Sequence, residues 1–279
     1  MLAAEKKGYI NRIRSGKYKL VPKMGNNELI NVLRSQKLTV SVIFNNKERL
    51  EDLAIRLSEQ LEPDKNLFLN SFYDSEFLKI NGFTKENALS MYLPNSYNVF
   101  WDVTPEDFRE LMLKNYKLFW NKKRIEKAKN LGLNPIEVYI LASIVHKESI
   151  KKDEQPRIAG LYLNRLKKRM RLQADPTVIF AHKRASGDFE KQIKRVLYKD
   201  LQLNSPYNTY KVKGLPPGPI TMPDLSTIDA VLNYEKHDYL YFVASPNKPG
   251  YHLFSKSLIQ HNLNKKEYIR WINNQKIYR

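Results

Sequence analysis

Asn134-Pro-Ile-Glu-Val-Tyr-Ile-Leu-Ala-Ser-Ile-Val-His-Lys-Glu-Ser149 is the stretch from which the organisation of this chain is read. Asn134 is a good N-cap, Pro135 suits the first helical position, and Glu137 stands three residues after the cap, as in a capping box. A helix therefore starts here and runs apolar for about three turns. Leu141, Ile144 and Val145 precede Glu148 by seven, four and three residues, so helical spacing puts the carboxylate on their apolar side. A carboxyl group there loses hydration, which favours its neutral form and raises its pKa toward the range of a general acid. If the helix rolls or frays by one residue, Glu148 is instead an ordinary solvated residue of the last turn. Periodicity alone does not choose between the two readings.

The chain around this helix has 279 residues, 42% of them hydrophobic, enough for one sizeable core or two modest ones. Its 48 Lys and Arg against 29 Asp and Glu leave a formal charge of +19, which attracts polyanions: nucleic acid, anionic lipid headgroups or an acidic wall polymer. Cysteine is absent, so disulfides and thiolate metal sites are excluded. The five histidines, at 146, 182, 237, 252 and 261, lack the close pairing of zinc enzymes, and no metal or cofactor is expected. No apolar run approaches the roughly 18 to 20 residues of a membrane span.

Upstream of residue 88 the pattern is that of a small α/β module. Tyr18-Lys-Leu-Val21 is a strand candidate, Asn26 or Asn27 caps a helix carrying Leu29, Ile30 and Leu33, and Leu38–Phe44 is a second, β-branched strand. Helices are expected over Glu48–Gln60 and near Phe72–Ile80. The aromatic turn region between Ala88 and Trp101, broken by Pro94 and Asn95, is the expected domain boundary. One long helix from about Pro105 to Leu131 follows, then the Glu148 helix, then one opened by Pro156. Asp175 reads as the cap of the next helix. Residues 205–220 are too rich in turn formers for regular structure and too long for a plain connector, so they are candidates to line a site. A helix over Asp224–Tyr234, strands at Tyr239–Ala244 and Tyr251–Ser255 and a helix over Leu258–Asn274 close the chain.

Pro94-Asn-Ser-Tyr97, Ala142-Ser-Ile-Val-His-Lys-Glu-Ser149, Asn164-Arg-Leu166, Leu172-Gln-Ala-Asp-Pro-Thr-Val178, Tyr207-Asn-Thr-Tyr210, Gly214-Leu-Pro-Pro-Gly-Pro-Ile220, Tyr239-Leu-Tyr-Phe-Val243 and His252-Leu-Phe254 resemble, in order, the motifs of the endolytic murein transglycosylase family, also called MltG or YceG-like. The likeness extends over nearly the whole chain. It implies an α+β fold: a LysM-like α/β subdomain over residues 8–88, then a helix-rich catalytic subdomain over 89–279 with a short antiparallel sheet. It also implies a lyase that cuts nascent peptidoglycan glycan strands internally, between MurNAc and GlcNAc, and leaves 1,6-anhydro-MurNAc ends. The family's catalytic glutamate falls on Glu148, followed by Ser149 as in other lytic transglycosylases. Members often carry Glu where this chain has His146, which puts any assisting role of that position in doubt. The resemblance further implies an extracytoplasmic enzyme held at the plasma membrane by a single-pass anchor. This chain has none, and the simplest expectation is a chain cut after the anchor, with Met1 and the residues just after it not native.

Ordinary glycosidases need two carboxylates, roughly 5 Å apart when retaining and 6.5 to 9.5 Å apart when inverting. Glu137 cannot partner Glu148, because eleven residues of helix span about 16 Å. In the implied reaction one glutamate suffices, since the sugar's C6 hydroxyl is the nucleophile. Gln173, Tyr207, Asn208 and Thr209 are candidate substrate-binding groups, as are Ser149, Asn164, Asp175 and Thr177 within the matching motifs; each also has a plain reading as a turn or cap. Arg165 either braces the site with Asn164 or pairs with a surface acid. The implied partners are glycan strands, an anionic membrane surface and the peptidoglycan synthases. A nucleic-acid role has only the charge behind it, without a recognition helix or motif. A silent wall-binding scaffold and a hydrolytic muramidase compete with the lyase for the same residues.

Overall fold

Helix α8 (Pro135–Glu148) starts as its cap residues dictate. Asn134 Oδ1 accepts from the Glu137 amide at 3.0 Å, and Glu137 Oε2 accepts from the Asn134 amide at 2.8 Å. The structure, a computed structural model, describes residues 2–193 and 195–274; Met1 lies outside them. Before α8 come α1 (Leu2–Lys6), α2 (Asn26–Ser35), β1 (Thr39–Phe44), α3 (Leu50–Ser58), α4 (Lys65–Phe72), α5 (Ser75–Ile80), β2 (Asn95–Phe100), α6 (Pro105–Phe119) and α7 (Lys122–Asn130). After it come α9 (Gln155–Lys167), α10 (Asp175–Ser186), α11 (Leu225–Leu232), β3 (Tyr241–Ala244), β4 (His252–Ser255) and α12 (Leu258–Asn274). The fold is α+β, helix-rich with two small antiparallel sheets.

The first sheet pairs β1 with β2, Val42 opposite Tyr97 and Val40 opposite Val99. Alternation buries Val42, Phe44, Tyr97 and Val99 on one face, where they meet Leu53 and Leu57 of α3, Phe68 and Phe72 of α4, and Phe108 and Met112 of α6. The expected strand at 18–21 does not form. Leu20 and Val21 are exposed, and only Lys17 bridges to Leu38. Its place is taken by β2, inside the stretch whose Pro and Asn read as breakers. A pairing over more than fifty residues of sequence leaves no local signature. The cluster runs on to Leu113, with members on both sides of residue 88.

The long helix expected over 105–131 is two helices. The first ends at Trp120, whose φ and ψ of −80° and 59° leave the helical region, and Asn121 then caps α7 through the Arg124 amide at 3.1 Å. The second core surrounds α8. Val138 to Val145 are buried without a break, with α7, α9, α10 and α11 packed around them. A helix covered on all sides has no inward face, so the spacing of Leu141, Ile144 and Val145 carries no direction here. Ser143 within the run donates to Ile140 O at 2.7 Å and accepts from the Ile220 amide at 3.1 Å, which ties the 205–220 segment to α8. The β3–β4 hairpin, with Phe242 opposite Phe254, lies over α9. No helix among the described residues is long and apolar enough to cross a membrane.

Gly160 lets α9 approach the segment after α11: a Cβ there would lie 2.4 Å from Glu235 O and 2.8 Å from His237 Nε2. Gly160→Ala is expected to destabilise the fold by about 1–3 kcal/mol, read as a lower urea midpoint with an unchanged slope.

Candidate active site

Burial of α8 stops at its last turn. His146 and Glu148 are half-buried, Lys147 is exposed, and Ser149 in extended conformation ends the helix. Lys147 pairs with Glu48 at 2.8 Å, and His146 turns toward Thr227 of α11, 3.5 Å away. Glu148 faces the opposite flank, where α9, the start of α10 and the β3–β4 hairpin meet. Tyr162 of α9, buried, donates its hydroxyl to Glu148 Oε1 at 2.7 Å. The Glu148 pKa is pushed up to about 7. Desolvation is the main cause, opposed by the Tyr162 hydrogen bond; the Asp175 charge raises it further, and His252 and Arg165 pull it down. A carboxyl poised near neutrality and open along one edge suits donation and recovery of a proton.

Behind it, Arg165 has no salt-bridge partner among the described residues. Its Nε donates to Leu240 O at 2.7 Å and its Nη1 to Leu172 O at 2.6 Å, with Gln173 Oε1 at 3.4 Å, so a buried guanidinium staples the 171–173 segment to the hairpin. Asn164 likewise gives its amide to His237 O and Tyr239 O at 2.7 and 3.1 Å. Both residues brace the site.

The 172–177 motif contributes differently from its reading. Asp175 is not a cap: it is the first residue of α10, Ala174 holds the cap position without a side-chain bond, and Asp175 Oδ1 accepts from the Tyr210 hydroxyl at 2.5 Å. Gln173, exposed, has φ of +52°, a region that residues with side chains seldom occupy, and its amide donates to Thr209 O at 3.1 Å. Strain of that kind persists where surrounding bonds enforce it.

Thr177, Asn208 and Thr209 are fully buried and spend their polar atoms internally. Thr177 and Thr209 hydroxyls are 2.8 Å apart, and Asn208 Nδ2 donates to Leu201 O and Leu203 O at 2.9 and 2.8 Å. Tyr207, also buried, lies against Phe180 and accepts from Arg184 at 3.2 Å. Ser149 is buried too, its hydroxyl directed at Glu154. These residues are buried, while Gln173 and Asp175 are exposed and Glu148 and Tyr210 half-buried.

Sequence reasoning missed Tyr162, Tyr210, Glu154 and His252. A tyrosine on an apolar helix face needs a partner for its hydroxyl, and that is the signal by which Tyr162 is legible. Among the described residues no cluster of His, Cys, Asp and Glu has metal-binding geometry.

Residues 1–267 match the family described as YceG-like. Endolytic murein transglycosylases of Bacillus subtilis and Streptococcus pneumoniae are 41% identical over 168 residues and 32% identical over 180 residues, covering 60% and 63% of this chain. The chain aligns to 44% and 31% of their lengths, less than half of either relative. A crystal structure of a yceG-like protein from Listeria monocytogenes, 29% identical, superposes with a TM-score of 0.67 over 94% of this chain and 88% of that one.

Because folding raises the Glu148 pKa, the stability it contributes is present below the unfolded value and is lost as pH rises through about 7. Glu148→Gln removes that loss. The variant is expected to gain about 1–3 kcal/mol on wild type between pH 5 and pH 8, after discount for the carboxyl's partial exposure, as seen by thermal melts at both pH values.

Proposed function

This chain belongs to the YceG-like family, and on that footing we propose that it is a peptidoglycan lytic transglycosylase with Glu148 as its single general acid/base. The observation that carries the reading is one desolvated carboxyl, pKa about 7, hydrogen-bonded by a buried tyrosine where its helix leaves the core. In the proposed reaction Glu148 gives its proton to the oxygen joining MurNAc C1 to GlcNAc C4, and the C1–O bond breaks. The C6 hydroxyl of the same MurNAc then bonds to C1 while its proton returns to the Glu148 carboxylate. The enzyme ends as it began, no water is consumed, and the glycan is left with a 1,6-anhydro end. Tyr162 orients the carboxyl for both transfers, and Gln173, Asp175 and Tyr210 are the groups at hand to orient the sugar.

The curated relatives are named endolytic murein transglycosylases, which supports cutting within strands. The charge of +19 suits a substrate whose stem peptides carry carboxylates. Exposed Ile13, Leu20 and Val21 lie among exposed Arg14, Lys17, Lys19 and Lys23, a mixture that favours an anionic membrane surface close to the synthases that supply the substrate. Location at the extracytoplasmic face of the plasma membrane, and a LysM-like role for residues 8–88, belong to the same proposal. A hydrolytic reaction would draw on Asp175, whose charge is felt at Glu148. Mass spectrometry of products separates the two: anhydro ends support the lyase, and reducing ends, one water heavier, sink it.

Glu148→Gln is expected to abolish release of anhydro-ended fragments from purified glycan strands, a loss of at least about a hundredfold. The acid must start protonated, so the wild-type rate should fall above about pH 7. Tyr162→Phe removes a bond that lowers the Glu148 pKa, and in a pH–rate series its high-pH limb should move upward.

A further inference from the structure

A second carboxylate, Glu154, lies six residues beyond Glu148 and is almost wholly buried. Its oxygens receive three hydrogen bonds. Oε1 accepts from the His252 backbone amide at 2.8 Å, while Oε2 accepts from His252 Nδ1 at 2.8 Å and from the Ser149 hydroxyl at 3.3 Å. The Ser149 hydroxyl in turn accepts from the Lys151 amide at 3.1 Å, and Ser149 O accepts from Gln155 Nε2 at 2.9 Å. A buried charge of this kind is stable only when paired and fully bonded. Here the bonds join the residue that ends α8 to the first residue of β4.

From His252 the contacts lead back to the acid. The imidazole meets Phe242 edge-on, centroids 4.9 Å apart; Phe242 meets Tyr162 edge-on at 6.1 Å; and Tyr162 donates to Glu148. Glu148, Ser149, Glu154, His252, Phe242 and Tyr162 thus form a closed circuit. We propose that Glu154 and His252 are a positioning pair for the transglycosylase reaction: the buried carboxylate fixes the imidazole, and the imidazole holds the Phe242–Tyr162 stack that orients the Glu148 carboxyl. The pair touches neither scissile oxygen nor C6 hydroxyl and acts through Tyr162 and through its charge. This inference rests on the lyase reading of Glu148.

The charged and titratable groups facing Glu148 are Tyr162 and Arg165 on α9, Asp175 at the start of α10, Tyr210 in the 205–220 segment and His252 on β4. His252 is the one of these that belongs to the proposed pair, and its charge favours the Glu148 carboxylate. The test uses the whole chain with a 13C label on glutamate carboxyls. Wild type, His252→Phe and Glu154→Gln are compared for the Glu148 titration by NMR and for kcat and KM on glycan strands. In His252→Phe, which keeps a ring against Phe242, the Glu148 midpoint is expected to rise. Its kcat should fall about tenfold to a hundredfold with KM unchanged, the scale of a misoriented catalytic group. Glu154→Gln should reproduce the kcat loss; if it does not fold, His252→Phe carries the test. An unmoved Glu148 titration in His252→Phe overturns the proposal, as does full kcat in that variant. A wild-type chain that releases no anhydro ends sinks the lyase reading instead, and the titration alone then decides the pairing.

Discussion

A helix buried along eight consecutive residues has to end somewhere, and α8 ends on a carboxyl group. Six of those residues are Val, Ile, Leu or Tyr, so their burial contributes roughly 9–18 kcal/mol as an upper estimate. Desolvating one carboxyl costs less than that, on the order of a few kcal/mol. The core can therefore hold Glu148 at its rim, provided the group keeps one good hydrogen bond and one open edge. The Tyr162 hydroxyl supplies the bond. The hairpin, Arg165 and the 171–173 segment are arranged around that contact.

That constraint explains why α8 is legible in the sequence while the orientation of Glu148 is not. Asn134, Pro135 and Glu137 write the start of α8 in local chemistry, and the capping box forms as they require. Helices α9 and α11 and the β3–β4 hairpin likewise follow from local pattern. Elements held by distant partners do not. Strand β2 depends on β1 across the expected boundary, and the break at Trp120 and Asn121 comes from a cap inside an otherwise helical pattern. Glu148 lies where its helix leaves the core, so its environment is set by α9, α10 and the hairpin, which helical periodicity does not see.

The candidate site divides in the same way. Gly, Pro and Asn mark 205–220 as an irregular segment, and it is tied to α8 through Ser143 and to α10 through Tyr210 and Asp175. Yet Asn208, Thr209 and Thr177, polar and therefore attractive as ligands, are fully buried, the two threonines bonded to each other and Asn208 to Leu201 O and Leu203 O. Sequence cannot distinguish a polar residue that faces substrate from one that satisfies backbone groups inside a loop. Gln173 is the converse: an ordinary residue by type, exposed and held at positive φ by the same loop.

One acid suffices for the proposed chemistry, yet three stand in this part of the fold, and their surroundings give them different work. Glu148 is desolvated with a single donor, so it holds a proton near neutrality. Asp175 is exposed at the start of α10 and bound by the Tyr210 hydroxyl. Glu154 is deeper than either, and three donors from Ser149 and His252 compensate its burial. Glu154 receives three hydrogen bonds from residues that end α8 and begin β4, whereas Glu148 receives one, from Tyr162, at the point where α8 leaves the core.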